Sequence, residues 1–281
     1  MYKLIDGKKV SEELRQELKE EISKLDKKPE LVVILIGEDP ASKVYVNTKE
    51  RKCKEVGIIS HKYELSEDIS EKEVLNLIDK LNKNPNINGI LVQMPLPKHI
   101  SSSKIMEAVI PEKDVDGFNP KNIGDMVLGK SGLRSCTPKG VIKLLKYYNI
   151  NLEGKDIVVI GKSIIVGTPM ALLLLEEDAT VSVCHLKTKD LESYTKKADI
   201  VVSATGKKHL ITSEMIKEGA VVIDVGTIKE NGKLYGDVDF DNVKDKTSYI
   251  TPVPDGVGPM TIACLLENTL MAYKLQKEKG I

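Results

Sequence analysis

KDIVVIGKSIIVGTPMALLLLEED, residues 155–178, is the stretch on which the fold turns. It reads as a short apolar strand from Ile157 to Ile160, a turn bracketed by Gly161 and Gly167, and a helix expected to begin at Thr168 and Pro169. Thr168 suits an N-cap, and Pro169 suits the first helical position, where its missing N–H would have no partner. A strand feeding such a turn leaves unpaired N–H groups aimed outward, with the positive end of the helix dipole behind them. That is a seat for an anion, most simply a phosphate. The spacing is not G-x-G-x-x-G, however, and glycines in a strand-turn-helix unit also serve as plain packing joints. On this stretch alone both readings stand.

Downstream, apolar runs alternate with helical ones: TVSVCH (180–185), DIVVSATG (199–206), VVIDVG (221–226) and YITPVP (249–254). Such alternation implies a parallel sheet with helices on both faces. In NAD-binding sheets an acidic residue about 20 positions after the glycine turn accepts from the ribose hydroxyls. Here the next strand ends in Cys184, His185, Leu186, Lys187 and Thr188, with no carboxylate. Lys162, Lys187 and His185 make that corner basic, which favours NADP and its 2′-phosphate.

Upstream, a cover helix is expected over about Ser11–Leu25, followed by a buried strand, ELVVILIG (30–37). Asp39 and Pro40 start the next helix and Gly57 stops it. Tyr45 and Lys49 are four apart on it and share a face. On these residues alone the plainer reading is a half-buried core tyrosine and one more solvated lysine. A strand at 60–65, a helix opened by the capping box Ser70–Glu73, and a third strand ending at Gln93 before Pro95 and Pro97 follow. Gln93 stands at a strand's carboxyl end, where ligands bind in open parallel sheets, though polar residues also close strands that have no site. A short helix is expected near Ser102. In PEKDVDGF, Asp114 and Asp116 can orient a substrate, hold a cation, or shape an Asx turn. Asn119–Ser135 reads as the crossing between domains, and Thr137 before Pro138 as another N-cap. The last helix, about Pro259–Lys277, is placed to return to the first domain.

The 281 residues suffice for two domains. Lysine plus arginine and aspartate plus glutamate both number 42, so nothing points to nucleic acid or a membrane surface. Four dispersed cysteines form no C-x-x-C pair and read as buried thiols in a reducing compartment. There is no apolar run of spanning length and no signal-peptide core, so a cytoplasmic protein is expected.

Six segments in order, GEDPASKVYVNTKERKCKEVGI, GILVQMPLP, PEKDVDGFNP, SCTPKGV, VVIGKSIIVGTPMALLLL and TPVPDGVGPMT, resemble the bifunctional methylenetetrahydrofolate dehydrogenase/methenyltetrahydrofolate cyclohydrolase family nearly end to end. The resemblance implies two α/β domains flanking a cleft: residues 1–118, a folate-binding catalytic domain to which a 259–281 helix returns, and 119–258, a Rossmann-like NAD(P)-binding domain. It implies a homodimer, tetrahydrofolate substrates and NADP as cofactor, with no metal. The dehydrogenase step would pass a hydride from 5,10-methylenetetrahydrofolate to NADP. The cyclohydrolase step would open the methenyl product to 10-formyltetrahydrofolate.

By the same resemblance, Tyr45 packs on the folate and Lys49, lowered in pKa by desolvation, manages the proton of an oriented water. Gln93 holds Lys49, and Asp116 accepts from the pterin N–H groups. Pro254, Gly258 and Pro259 complete the substrate site. Gly161, Lys162, Ser163, Val166, Gly167, Thr168, Pro169, His185, Thr205, Gly226, Thr227 and Ile228 bind the nucleotide. Three positions depart from the family pattern. Lys162 replaces the usual Arg and is a point charge with less geometric definition. Leu186 replaces a polar residue, which weakens 2′-phosphate recognition and opens the site to NAD. Asp255 replaces a glycine, at a turn that Asp tolerates better than most residues.

Overall fold

The computed structural model describes residues 2–280. The chain opens with β1 (Lys3–Leu4) and α1 (Gly7–Ser23). The helix begins earlier than its apolar spacing indicates, because the Asp6 carboxylate accepts from the Lys9 N–H at 2.9 Å and caps it.

Next come β2 (Glu30–Ile36), α2 (Pro40–Val56), β3 (Ile59–Leu65), α3 (Glu71–Lys83), β4 (Gly89–Val92), α4 (Ser102–Ala108) and α5 (Pro120–Val127). Local chemistry sets these bounds as expected. Asp39 caps α2 through the Ser42 N–H, and Gly57 closes it at φ +88°. The Ser70–Glu73 capping box forms at α3. The stretch read as a crossing between domains instead contains α5, capped by Asn119 through the Lys121 N–H with Pro120 at its start.

The chain continues through α6 (Cys136–Tyr147), β5 (Asp156–Ile160), α7 (Gly167–Glu176), β6 (Thr180–Cys184), α8 (Leu191–Thr195), β7 (Ile200–Ser203), β8 (Val221–Asp224), the hairpin strands β9 (Ile228–Glu230) and β10 (Lys233–Tyr235), α9 (Phe240–Val243), β11 (Tyr249–Ile250) and α10 (Val257–Lys279). Because α6 starts at Cys136, Thr137 lies inside its first turn and is not the N-cap. Its hydroxyl pairs with that of Thr261 at 2.9 Å.

Two compact units result, Glu13–Cys136 with Ile262–Ile281, and Met1–Glu12 with Thr137–Thr261. The division falls near residue 136, where 118 was expected. The chain's start joins the later unit because β1 pairs in parallel with β11. The first unit is built on a parallel sheet in the order β3-β2-β4. Val32, Ile34, Ile90 and Val92 pack there against Val74 and Ile78 of α3 and Ile105 of α4. The second unit is built on the parallel sheet β1-β11-β8-β7-β5-β6. Its core includes Val158, Ile160, Val201, Val222 and Ile250. In both sheets the strand order reverses beside the first strand of the unit's run, β2 in one and β5 in the other. Ligands of open α/β sheets bind outside the carboxyl ends at such a point.

Candidate functional site

In the first unit the reversal point lies between β2 and β4, and α2 starts just beyond β2. The buried stripe of α2 is Ser42, Val46, Lys49, Cys53 and Val56. Lys49 therefore replaces an apolar residue in a helix-packing row, which excludes the solvated-lysine reading; it is 8% exposed. Its Nζ donates to Gln93 Oε1 at 2.9 Å. Gln93 follows β4 directly: its N–H donates to Ile34 O and its side-chain amide to Met94 O at 2.7 Å. One amide thus joins the helix lysine to the strand end. Burial pushes the Cys53 thiol, one turn along α2, up to about 12 and keeps it neutral beside Lys49. Tyr45 is 40% exposed and is no part of the core, so its ring is open to a ligand.

The two aspartates of the 111–118 loop have separate tasks. Asp114 is buried and accepts from the Asn119 N–H at 2.7 Å and from Asn122 Nδ2 at 2.8 Å, which is the turn-shaping reading. Asp116 is partly exposed, and burial raises its pKa to about 6 against the opposing pull of the Lys49 ammonium, with Asp114 adding to the rise. Its loop is fixed from several directions. Ile90 of β4 donates to Lys113 O at 2.8 Å, and Asn268 of α10 donates to Val115 O at 2.8 Å. Lys113 itself is buried, and its Nζ donates to the carbonyls of Leu81, Asn82 and Asn84 at the end of α3. Gly117 takes φ +74°, and a Cβ there would run into the Arg134–Ser135 backbone. Lys113 and Asn268 went unmarked in the sequence. A lysine beside two aspartates looks solvated, and an asparagine in an apolar helix carries no local signal. Lys49, Gln93 and Asp116 do gather in this unit, whereas Pro254, Gly258 and Pro259 belong to the other one.

In the second unit the reversal point lies at the carboxyl ends of β5 and β7, beside the glycine turn. Gly161 takes φ +122°, and a Cβ on it would meet Ala204 O after β7; a Cβ on Gly167 would meet the Gly161 carbonyl. The backbone is thus packed as tightly as glycine allows. The helix start differs from expectation. α7 begins at Gly167 with Val166 as its cap, so Thr168 and Pro169 are interior to the first turn. Ser163 supplies the capping: its Oγ accepts from the Val166 and Gly167 N–H groups at 3.1 and 3.4 Å, and its carbonyl from the Thr168 N–H. The outward donors therefore lie earlier in the turn. Among the described residues, the N–H groups of Ser163, Ile164 and Ile165 make no hydrogen bond.

Next to them, Gly161 N–H donates to Cys184 O, which sets Lys162 beside the end of β6. His185 accepts the Lys187 N–H on Nδ1 at 3.1 Å, leaving Nε2 as the donor of the neutral ring. Leu186 is 96% exposed there. Exposed Thr205 follows β7, and Gly226, Thr227 and Ile228 follow β8. Gly turn, free N–H groups and basic corner together fit a dinucleotide's phosphates. Asp255 takes φ +74°, the backbone its turn requires. Among the described residues no His, Cys, Asp and Glu cluster could hold a metal ion.

Comparison with known proteins agrees with this geometry. A tetrahydrofolate dehydrogenase/cyclohydrolase catalytic-domain profile matches residues 5–116, and the NAD(P)-binding-domain profile of the same family matches 135–277. A protein of Aquifex aeolicus called bifunctional protein FolD is 53% identical over 279 residues, covering 98% of this chain and 96% of the relative. The crystal structure of the bifunctional FolD dehydrogenase/cyclohydrolase of Campylobacter jejuni matches with a TM-score of 0.96 and 53% identity, covering 98% of this chain and 100% of that one. The Trypanosoma brucei enzyme, solved with NADP and an inhibitor, matches with a TM-score of 0.95 and 36% identity over 98% of each chain.

Proposed function

The chain belongs to the tetrahydrofolate dehydrogenase/cyclohydrolase family, and from that premise we propose how its own residues carry out the two reactions. It oxidises 5,10-methylenetetrahydrofolate to the 5,10-methenyl cation with NADP and hydrolyses that cation to 10-formyltetrahydrofolate, two steps of one-carbon metabolism. The observation that carries the assignment of roles is the 2.9 Å bond between Lys49 Nζ and Gln93 Oε1, with Asp116 close enough for the ammonium to lower its pKa.

In the hydrolysis, water adds to the methenyl carbon and loses a proton, after which the bond from that carbon to N5 breaks as N5 takes a proton up. Lys49 is our proton carrier, held in one rotamer by Gln93. Asp116 accepts from pterin N–H groups and fixes the ring, and Tyr45 stacks on it. For the oxidation, bound NADP supplies the hydride acceptor. Gly161, Gly167 and the Ser163–Ile165 N–H groups seat its phosphates, with Val166, Thr168 and Pro169 shaping the turn. Lys162 and His185 face the 2′-phosphate, and Thr205 and Gly226–Ile228 form the rim at the neighbouring strand ends. Since Lys162 is a point charge and Leu186 offers no hydrogen bond, NAD is a second, weaker acceptor.

We also propose a cytoplasmic homodimer. Among the described residues β3 pairs with β2 alone, which leaves one edge of this seven-residue strand open, and Ile59 and Tyr63 on it are exposed. Unpaired edges of this length are normally covered, here by a second copy. Sedimentation of wild type and Tyr63→Lys tests this, and an unchanged dimer in the variant would rule out β3 as the contact. For the chemistry, methylenetetrahydrofolate is supplied with NADP or NAD, and reduced nucleotide, methenyl and 10-formyl products are followed in one sample. Absence of reduced nucleotide with either cofactor would overturn the dehydrogenase, and persistent methenyl product would remove the hydrolase.

A further inference from the structure

Two carboxylates lie fully inside the second unit, at the carboxyl ends of β7 and β8, and no lysine or arginine pairs with either among the described residues. Asp237 is 0% exposed and Asp224 3%. Asp237 Oδ2 accepts from Ser203 Oγ at 2.8 Å and the Thr205 N–H at 2.7 Å, and Oδ1 from the Lys207 N–H at 3.0 Å. Asp224 Oδ1 accepts from the N–H groups of Gly226 and Asp237, and Oδ2 from that of Val238, each at 2.9 Å. The first carboxylate holds the loop after β7, and the second ties the loop after β8 to the first. Gly226 and Gly236 leave the space this needs. A Cβ on Gly226 would strike the Asp237 carboxylate, and one on Gly236 the Asp224 carboxylate. The β9–β10 hairpin between the two ends is fastened to the same loop, since Lys208 pairs with Glu230 and lies 3.7 Å from the centre of the Tyr235 ring.

We propose that Asp237 is the positioning residue of the dinucleotide rim: through the Thr205 and Lys207 N–H groups, with Asp224 behind it, it holds the loops after β7 and β8 in the shape that receives the nucleotide. This rests on our assignment of Thr205 and Gly226–Ile228 to the nucleotide site. Buried carboxylates met by backbone N–H and hydroxyl donors and by no cation are expensive to desolvate, and their return is a fixed loop geometry. A rim that is already formed binds without a population penalty, whereas a loosened one weakens apparent affinity by the fraction of time it is correctly shaped.

Asp237→Asn keeps the shape but turns one acceptor into a donor that faces an N–H group. The dissociation constant for NADP is expected to rise about tenfold, the scale of one lost charge-assisted hydrogen bond. Amide exchange at 205–207 and 226–228 speeds up while that of the β7 interior does not. Hydrolysis of the methenyl substrate, which uses no nucleotide, stays within about twofold of wild type, because Lys49, Gln93 and Asp116 lie in the other unit. Unchanged exchange and unchanged affinity would overturn the role of Asp237 while leaving the site in place. Faster exchange with unchanged affinity would instead show that these loops hold no nucleotide, and the assignment itself would fall. Loss of both activities at unchanged NADP affinity would mark a purely structural residue and also overturn the proposal. Should Asp237→Asn fail to fold, Ser203→Ala removes one donor to the same oxygen and is expected to move exchange and affinity in the same direction by less.

Discussion

Lys49 of α2 donates to Gln93 at the end of β4 over 2.9 Å, from a position within the buried row of its helix. A lysine so placed has one fixed head-group position, unlike the solvated lysines around it. Lys49→Gln is expected to lower the hydrolysis rate by about 10²- to 10⁴-fold, the usual contribution of a positioned proton carrier, while substrate binding and the hydride step remain measurable. Formation of 10-formyl product at the wild-type rate would remove Lys49 from the mechanism.

Gln93→Leu tests the positioning separately. It leaves the lysine in place but removes its oxygen acceptor, so the hydrolysis rate should fall by about tenfold, the scale of one hydrogen bond to a charged group. The dehydrogenase step should change less. A rate equal to wild type would mean that the Gln93 bond does not orient Lys49 for reaction.

Asp116 titrates near 6 in the folded chain and at the ordinary 3.8 when unfolded. Between these values the folded state keeps a proton that the unfolded state has lost. This contribution to stability is full below 3.8, fades as pH rises, and is gone above 6. Ionised Asp116 therefore costs about 2 to 3 kcal/mol at neutral pH, at 1.36 kcal/mol per pKa unit. Asp116→Asn should be more stable than wild type in urea titrations at pH 7.5 and equal to it near pH 4. The substrate KM of wild type should rise as pH falls through 6, because the protonated carboxyl loses acceptor capacity. A variant less stable at both pH values would contradict this account.

Lys113→Met removes three hydrogen bonds to the carbonyls ending α3: Leu81 O and Asn84 O keep the Asn84 and Ile87 N–H donors, and Asn82 O is left without one. A loss of about 1 to 3 kcal/mol in unfolding free energy is expected, since the one orphaned carbonyl costs about 1 to 3 kcal/mol, and the two other lost bonds are offset by relief of a desolvated ammonium. Burial already lowers the pKa of this lysine. Chemical denaturation of the two proteins measures the difference. A loss under 0.5 kcal/mol, the usual scale of a surface substitution, would show that water replaces the ammonium.

Lys162→Ala should weaken NADP more than NAD. Lys162→Arg should tighten NADP by several-fold through a bidentate grip on the 2′-phosphate. Titration of both nucleotides against each variant decides it, and equal effects on the two would take Lys162 out of the 2′-phosphate site.

The sequence by itself determined the helices and strands wherever the deciding chemistry is local. Asp39 and Gly57 bound α2, the Ser70–Glu73 box starts α3, and Gly161 and Gly167 mark the tight turn after β5, because caps and positive φ depend on neighbours a few residues away. The ordered motifs also placed Lys49, Gln93 and Asp116 in one group. Tertiary structure decided what each charge faces. Lys49 and Lys113 read alike in a lysine-rich chain, yet one meets Gln93 and the other the end of α3, through partners 44 and about 30 positions away. Asp114 and Asp116 stand two positions apart, and only the fold turns the first inward onto Asn119 and Asn122. Ser163 took the capping role expected of Thr168, because the turn folds back to bring the Val166 and Gly167 N–H groups onto its hydroxyl. Asp224 and Asp237 gave no local sign of cooperation, since they are brought together by the return of the chain after the β9–β10 hairpin. Hydrogen bonds between distant segments are satisfied only once the sheet is assembled, and that is the information a linear pattern does not contain.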